Sequence, residues 1–287
     1  MFKLVAASFL LVFREALEAV LIVGIILGYL RRTGRAALSR YVWIGVGGGV
    51  ATSIAGALAF EYLANGFEGR AEQLFEGITM LVGAGLLTTA VAWLARAARR
   101  TEVERTVEAK LVGSARSGLA LLAGVSVLRE GIELAIFLAA AGLGTGTGNL
   151  AGALVGFVAA VALGLLVFTA AIRVNLRAFF AATNVLLVLF AAGLVARGLH
   201  ELAEAGVLPP IVDPLWDVNP PLRADGGVPA LHENGAIGSI LKGLFGWNGN
   251  PSALEVIGWG AYLAAAGAVA LARRLRAAST RRFPARG

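Results

Sequence analysis

Long apolar runs separated by short polar blocks set the pattern of this chain. Seven segments carry the ~20 mostly apolar residues that a membrane-spanning helix needs: residues 4–30, 41–60, 74–94, 118–143, 150–172, 178–199 and 253–272. The first run opens at Leu4, resumes at Ala19 and continues to Leu30 with no A-x-A cleavage site, so it reads as a spanning helix and not as a removable signal peptide. The polar blocks alternate in charge. Arg31, Arg32, Arg35 and Arg40 follow span 1, a basic run from Arg96 to Arg116 follows span 3, Arg173 and Arg177 follow span 5, and six arginines from Arg273 onward follow span 7. The other three connections are acidic or uncharged. Because Lys and Arg stay on the cytoplasmic side, this alternation predicts seven spans with the N-terminus outside and the C-terminus inside.

Composition agrees with a bilayer. Hydrophobic residues make up 58% of the 287 positions, with 38 Gly besides, and charged residues only 15%, against ~25% in soluble domains. An ordinary soluble fold is excluded. The net charge of +7 does not point to nucleic acid, because the arginines sit beside apolar runs, where topology needs them. There is no Cys, and the two histidines are His200 and His232, so thiolate sites and iron-sulfur clusters are excluded. Any metal must be held mostly by oxygen. The fold class is therefore all-α and polytopic, one transmembrane domain over residues 1–275 with a basic cytoplasmic tail at 276–287.

The spans repeat. Arg14-Glu15-Ala16-Leu17-Glu18 in span 1 and Arg129-Glu130-Gly131-Ile132-Glu133 in span 4 share an Arg-Glu-x-x-Glu pattern. Gly45/Gly49 in span 2 matches Gly152/Gly156 in span 5, a spacing suited to close helix packing. Spans 3 and 6 share a weaker Phe-x-x-x-Thr, Phe75 to Thr79 and Phe179 to Thr183. Three is odd, so the second triplet (about 118–200) crosses in the opposite sense to the first (about 4–94), the inverted plan that puts a transporter's substrate near the midplane. Span 7 lies outside the repeat.

Both charged motifs fall near the middle of their spans. Facing lipid there, an Asp, Lys or Arg costs ~2.5–3.5 kcal/mol each on the insertion scale, so six such groups must face the protein interior, each other or water. At ~100° per residue, Glu15 and Glu18 are about 60° apart and Arg14 about 40° from Glu18. Each motif occupies one helix face. If the two faces meet, Glu15, Glu18, Glu130 and Glu133 surround one point, with Arg14 and Arg129 as counter-charges. That is an oxygen cage for a hard cation such as Fe(III), Mn(II) or Ca(II), whereas soft Cu(I) would need sulfur. A purely structural reading pairs Arg14 with Glu18 and Arg129 with Glu133, leaving Glu15 and Glu130 without partners.

Acids also gather at the expected outer mouth. Glu76 opens span 3, and His200, Glu201 and Glu204 follow span 6 at helical spacing, an arrangement that could collect cations. The outer connection 201–252 is rich in Pro and long enough to cover the mouth, and Trp216, Trp247 and Trp259 suit an interfacial aromatic belt. Gly144-x-Gly146-x-Gly148 reads as a turn, and Ala95 to Ser117 as a short inner surface helix.

With these motifs the chain resembles the high-affinity iron permeases, the oxidase-dependent iron transporters grouped with lead uptake proteins. The resemblance rests on the two Arg-Glu-x-x-Glu motifs, Phe75-Glu76-Gly77, His200-Glu201-Leu202-Ala203-Glu204 and Gly246-Trp247-Asn248-Gly249-Asn250-Pro251-Ser252, and covers the chain to about residue 275. It implies a seven-span importer of iron across the bacterial cytoplasmic (inner) membrane, with Fe(III) as cargo, no cofactor, and a translocation site of Arg14, Glu15, Glu18, Arg129, Glu130 and Glu133. It also implies a separate oxidase, peroxidase or iron-binding partner outside. Trp247 stands where the family often has Tyr, so no iron ligand is expected there. Two rivals stand beside it: a carrier of lead, manganese or calcium, and a membrane di-iron oxidase. The oxidase is disfavoured because such bundle sites use Glu-x-x-His and neither motif contains His.

Overall fold

A computed structural model describes residues 2–97, 105–108, 115–140, 147–169, 176–209, 211–222, 227–233, 235 and 237–282. Among the described residues the regular structure is helical. The long helices are α1 (Phe2–Arg32), α2 (Ser39–Ala64), α3 (Arg70–Ala97), α4 (Ala115–Ala140), α5 (Thr147–Thr169), α6 (Leu176–Glu204) and α8 (Ala253–Arg282), with a short α7 (Gly238–Phe245) before the last and one 3-10 turn at Ala36–Leu38. Each apolar run has become a helix because a chain without water must satisfy its backbone hydrogen bonds internally. Most helices overrun the expected spans into the charged flanks, and α8 carries the basic run as far as Arg282. Gly144 and Gly146 lie outside the described residues, while Gly148 belongs to the first turn of α5 and not to a turn between helices. Of the expected inner surface helix only Arg105–Glu108 lies between the ends of α3 and α4 in the described set; it is helical, with Val107 fully buried.

Five helices are long and apolar enough to cross a membrane by length and composition: those at 36–64, 70–91, 150–169, 181–204 and 253–272. The protein is a multi-pass membrane protein. The two long helices outside that group, α1 and α4, are those with the Arg-Glu-x-x-Glu motifs, whose three ionisable residues interrupt the apolar window.

Packing follows the repeat. α1 packs on α5, α2 on α4, α3 on α6, and α1 meets α4, so exchanging the two triplets maps this set of contacts onto itself. Register follows too. A methyl group built on Gly49 would lie 2.6 Å from the Gly124 carbonyl oxygen and 3.2 Å from the Leu128 nitrogen; one on Gly156 would lie 2.6 Å from the Phe9 carbonyl oxygen and 3.1 Å from the Phe13 nitrogen. Gly124 and Leu128 precede Glu130 by the same steps as Phe9 and Phe13 precede Glu15. Glycine is needed at both places because backbone meets backbone.

The same contacts give helix directions. Gly156 lies on Phe9, Gly164 on Val20 and Phe168 on Gly24, so α1 and α5 run in the same sense; Gly45 on Ala120 and Gly49 on Gly124 make α2 and α4 parallel as well. Gly77 against Gly198 and Gly83 against Leu194 make α3 and α6 antiparallel.

Two apolar cores result. Val23, Ile26 and Leu30 of α1 pack with Val42 of α2 and Leu119, Ala123 and Val127 of α4. The second core joins Leu11 of α1, Met80 and Leu87 of α3, Phe137 of α4 and Phe190 of α6. On α1 and on α4 the charged motif falls between the residues given to one core and those given to the other.

The described residues of the connection after α6 make contacts with one another and with the helices. Gly206, with φ 71°, turns the chain out of α6, and segments around 212–218 and 249–253 run alongside each other through Leu215 N–H to Pro251 O (2.7 Å), Val218 N–H to Gly249 O (2.8 Å) and Ala253 N–H to Val212 O (2.8 Å). α7 packs on α6 and α1. It ends at Gly246, whose φ of 69° is open to glycine and whose Cα side presses on Gly193.

Candidate metal site

Where α1 and α4 cross, their motifs face each other. One carboxylate oxygen from each of Glu15, Glu18 and Glu130 lies within 4.8 Å of the others, and all three residues are buried. Among the described residues this is the one group in which three potential metal-ligating side chains converge so closely. Glu133 stands beside it, its side chain 14% exposed. Glu15, Glu130 and Glu133 each keep one buried carboxylate oxygen with no hydrogen-bond partner, while the buried Glu18 Oε1 faces Arg14 at 2.9 Å. Buried anionic oxygens without donors are unfavourable, and such a set is what a hard cation uses.

The two arginines are not equivalent, although the repeat relates them. Arg14 is 2% exposed, donates to Glu15 and stands 2.9 Å from Glu18. The expectation that a structural pairing would leave Glu15 alone is therefore corrected, since a guanidinium presents a fork that reaches two carboxylates. Arg129 is 39% exposed and sits 2.8 Å from Glu133 and 3.9 Å from Glu130. Arg14 also borders a cavity of about 30 Å³ between α1 and α6, lined by Leu10, Leu11, Thr183, Leu187 and Phe190 among others.

The outer acids form a separate group. Gly77 and Gly198 bring the ends of α3 and α6 together, which sets exposed Glu76 across from Glu201, while Glu204 accepts from Gln73 (3.1 Å). His200 does not stand free as a collector. Its Nε2 lies 3.2 Å from Glu204 and its Nδ1 3.1 Å from Glu255, so both ring nitrogens are engaged by carboxylates.

Sequence reasoning passed over Glu255, although Ser252-x-x-Glu255 is the pattern of a capping box. Glu255 N–H donates to Ser252 Oγ (3.3 Å), and Glu255 Oε1 accepts from Ser252 N–H (3.0 Å) and Oγ (3.1 Å). Its Oε2 accepts from Asn248 (2.9 Å). The Gly-Trp-Asn-Gly-Asn-Pro-Ser stretch is thus a clasp: Gly246 on α6, Asn248 on Glu255, Gly249 against Asn219 and Ser252 capping α8. Trp216 and Trp247 are exposed, whereas half-buried Trp259 donates to the Phe245 carbonyl (3.0 Å) and holds the end of α7. Glu255→Ala leaves Ser252 Oγ capping α8 but removes the reciprocal half of the box and the carboxylate's contacts with Asn248 and His200. The expected result is a loss of about 1–3 kcal/mol at the α8 start and faster limited proteolysis within 205–252, with Glu255→Gln intermediate; unchanged cleavage would show that the clasp does not hold the loop.

The model of the iron permease FTR1 family matches residues 5–280. An uncharacterized protein of Archaeoglobus fulgidus is 36% identical over 252 residues, covering 88% of this chain and 89% of that protein. The ferrous iron permease EfeU of Shigella sonnei is 35% identical over 277 residues, covering 95% and 97%, and that of Yersinia pestis is 31% identical over 260 residues, covering 89% of each. No solved structure matches. The matched region takes in both Arg-Glu-x-x-Glu motifs, the outer acids and the clasp before α8, so the chain belongs to the iron permease FTR1 family and is a membrane permease with iron as its substrate, not an enzyme.

Proposed function

We propose that this chain imports iron through the paired motifs, with Glu15, Glu18, Glu130 and Glu133 exchanging the ion's water for carboxylate oxygen and Arg14 and Arg129 tempering the site. The observation that carries the reading is the convergence of buried carboxylates from α1 and α4, with Glu15 and Glu130 each keeping an oxygen that has no hydrogen-bond partner. The seven long helices cross the bacterial inner membrane seven times, N-terminus outside and C-terminus inside, as repeats of about 4–94 and 118–200, an outer loop at 201–252, a last span at 253–272 and a basic inner tail at 276–287. Glu76, Glu201 and Glu204 gather the ion at the outer mouth, where a separate oxidase, peroxidase or iron-binding protein delivers it. Release inside follows from rocking of the repeats about the fixed site.

The resemblance drawn from the motifs favours Fe(III). A second reading, Fe(II), has its own support: four carboxylates against two guanidinium groups leave a formal charge of about −2, which a divalent ion neutralises, and the Shigella sonnei and Yersinia pestis relatives are named ferrous iron permeases. The test is uptake of radiolabelled iron into vesicles containing the purified protein, with Fe(III) and reduced Fe(II) offered separately and Mn(II), Pb(II) and Ca(II) as competitors. Saturable uptake of one iron form, resisting a tenfold excess of the other metals, is the expected result. Uptake of a competitor in place of iron would move the chain to the rival cation carriers.

A further inference from the structure

We propose that Ser53 of α2 is a positioning residue for the motif of α4: its side chain seats on the bare backbone of Gly131 and thereby sets where Glu130 stands in the cage. The inference rests on the cation site proposed above. Gly131 directly follows Glu130 and stands two residues before Glu133. A methyl group built on it would overlap the Cβ and Oγ of Ser53, so the Ser53 side chain fills the volume that a side chain at position 131 would need. Ser53 is itself tied down. Its hydroxyl donates to the Gly49 carbonyl oxygen one turn back (2.8 Å), and Gly49 lies against the backbone of Gly124 and Leu128. One stretch of α2, from Gly49 to Ser53, thus lies along α4 and ends on the motif.

The repeat supplies the comparison. Ser53 follows Gly49 by four residues as Ala160 follows Gly156, and Gly131 follows Glu130 as Ala16 follows Glu15. With Gly156 on Phe9 and Phe13 and Gly164 on Val20, the fully buried Ala160 stands level with Ala16. Two alanines face each other at that level in one helix pair, whereas the other pair gives the whole volume to Ser53. At Gly131, α4 has no side chain of its own to hold it off α2, and Ser53 is the spacer. Close-packed interiors pass a change in one group to its neighbours. Enlarging the contact drives the motif away from α2, and deleting the spacer lets it settle inward. Either shift moves Glu130 relative to Glu15 and Glu18, whose ligand oxygens lie within 4.8 Å of its own.

The experiment measures iron uptake against concentration in vesicles, using the oxidation state that wild-type protein takes up, beside thermal unfolding in detergent. Gly131→Ala and Ser53→Gly are each expected to raise KM about tenfold, because a binding constellation tolerates little looseness in its supports. The double variant Gly131→Ala/Ser53→Gly moves the spacer from α2 to α4 and should return KM to within about threefold of wild type. Gly124→Ala crowds the same two helices, its methyl group 3.0 Å from the Gly45 carbonyl oxygen, but nearly two turns before Glu130; it should lower the unfolding temperature and leave KM within about twofold of wild type. If Gly131→Ala does not reach the membrane, the return of KM from Ser53→Gly to the double variant decides. A double variant as defective as Ser53→Gly would overturn the spacer, and so would a KM raised as far in Gly124→Ala, since any crowding of the two helices would then suffice. Abolished uptake in Glu15→Gln beside wild-type KM in Ser53→Gly sinks this role alone, whereas uptake that survives Glu15→Gln overturns the cation site and this role with it.

Discussion

Glu15→Gln and Glu130→Gln should each reduce iron uptake by about 100-fold or more while the protein still reaches the membrane. The substitutions keep side-chain length and an oxygen that can face the neighbouring arginine, Arg14 for Glu15 and Arg129 for Glu130, so packing between the two apolar cores is little disturbed. What they remove is charge. Losing one member of a buried charged set costs roughly 3–5 kcal/mol, and here the loss falls on the ion, because both residues are almost wholly buried and their free oxygens have no other use. Glu133→Gln should be milder, about tenfold, since its side chain is partly exposed and already engaged by a half-exposed Arg129. Uptake by the three variants in vesicles, normalised to protein inserted, checks the order. Equal loss in all three would mean that the ion meets the two motifs symmetrically and that the observed difference in burial has no bearing on transport.

That difference is what the sequence conceals. The two motifs are nearly identical in residues and in position within their runs, so nothing in the linear pattern separates Arg14 from Arg129. The difference comes from what packs beside them, and hydropathy reports only whether a face meets apolar or polar surroundings. The seven helices, their motif faces and the register of the repeat were legible because each follows from spacing. Pairing between helices was less so. Of the 38 glycines, Gly28, Gly47, Gly48 and Gly56 have nothing within 4 Å of where a side-chain methyl group would stand, whereas Gly45, Gly49 and Gly156 lie against backbone; spacing alone cannot sort these, and it was the repeat that singled out Gly49 and Gly156, whose contacts match. The outer connection hid its order for another reason. Its hold on the helices runs through single side chains such as Glu255 and Trp259, which leave no periodic trace.

Gly49→Ala and Gly156→Ala should both destabilise the protein, and by similar amounts. In each, the new methyl group would stand 2.6 Å from a carbonyl oxygen of the facing helix, an atom that cannot turn aside as a flexible side chain can. The helices must separate, and overpacking of this kind costs typically ~1–3 kcal/mol. Gly28→Ala and Gly47→Ala add the same methyl group where nothing lies within 4 Å, and there alanine's better helix propensity, worth up to ~1 kcal/mol, acts unopposed. Thermal unfolding in detergent should place the first pair below wild type and the second pair at or above it. Transport should follow for a geometric reason. Gly49 sits against Leu128 and Gly156 against Phe13, each two residues ahead of the first glutamate of its motif, so a forced separation displaces Glu130 in one variant and Glu15 in the other. Carboxylates that must close on one ion tolerate little displacement, and a loss of uptake of about tenfold is expected from either. If one variant transports normally while the other fails, the symmetric contacts serve assembly alone, and the placing of the two motifs has to be sought in the helices that differ around them, α7 and α8.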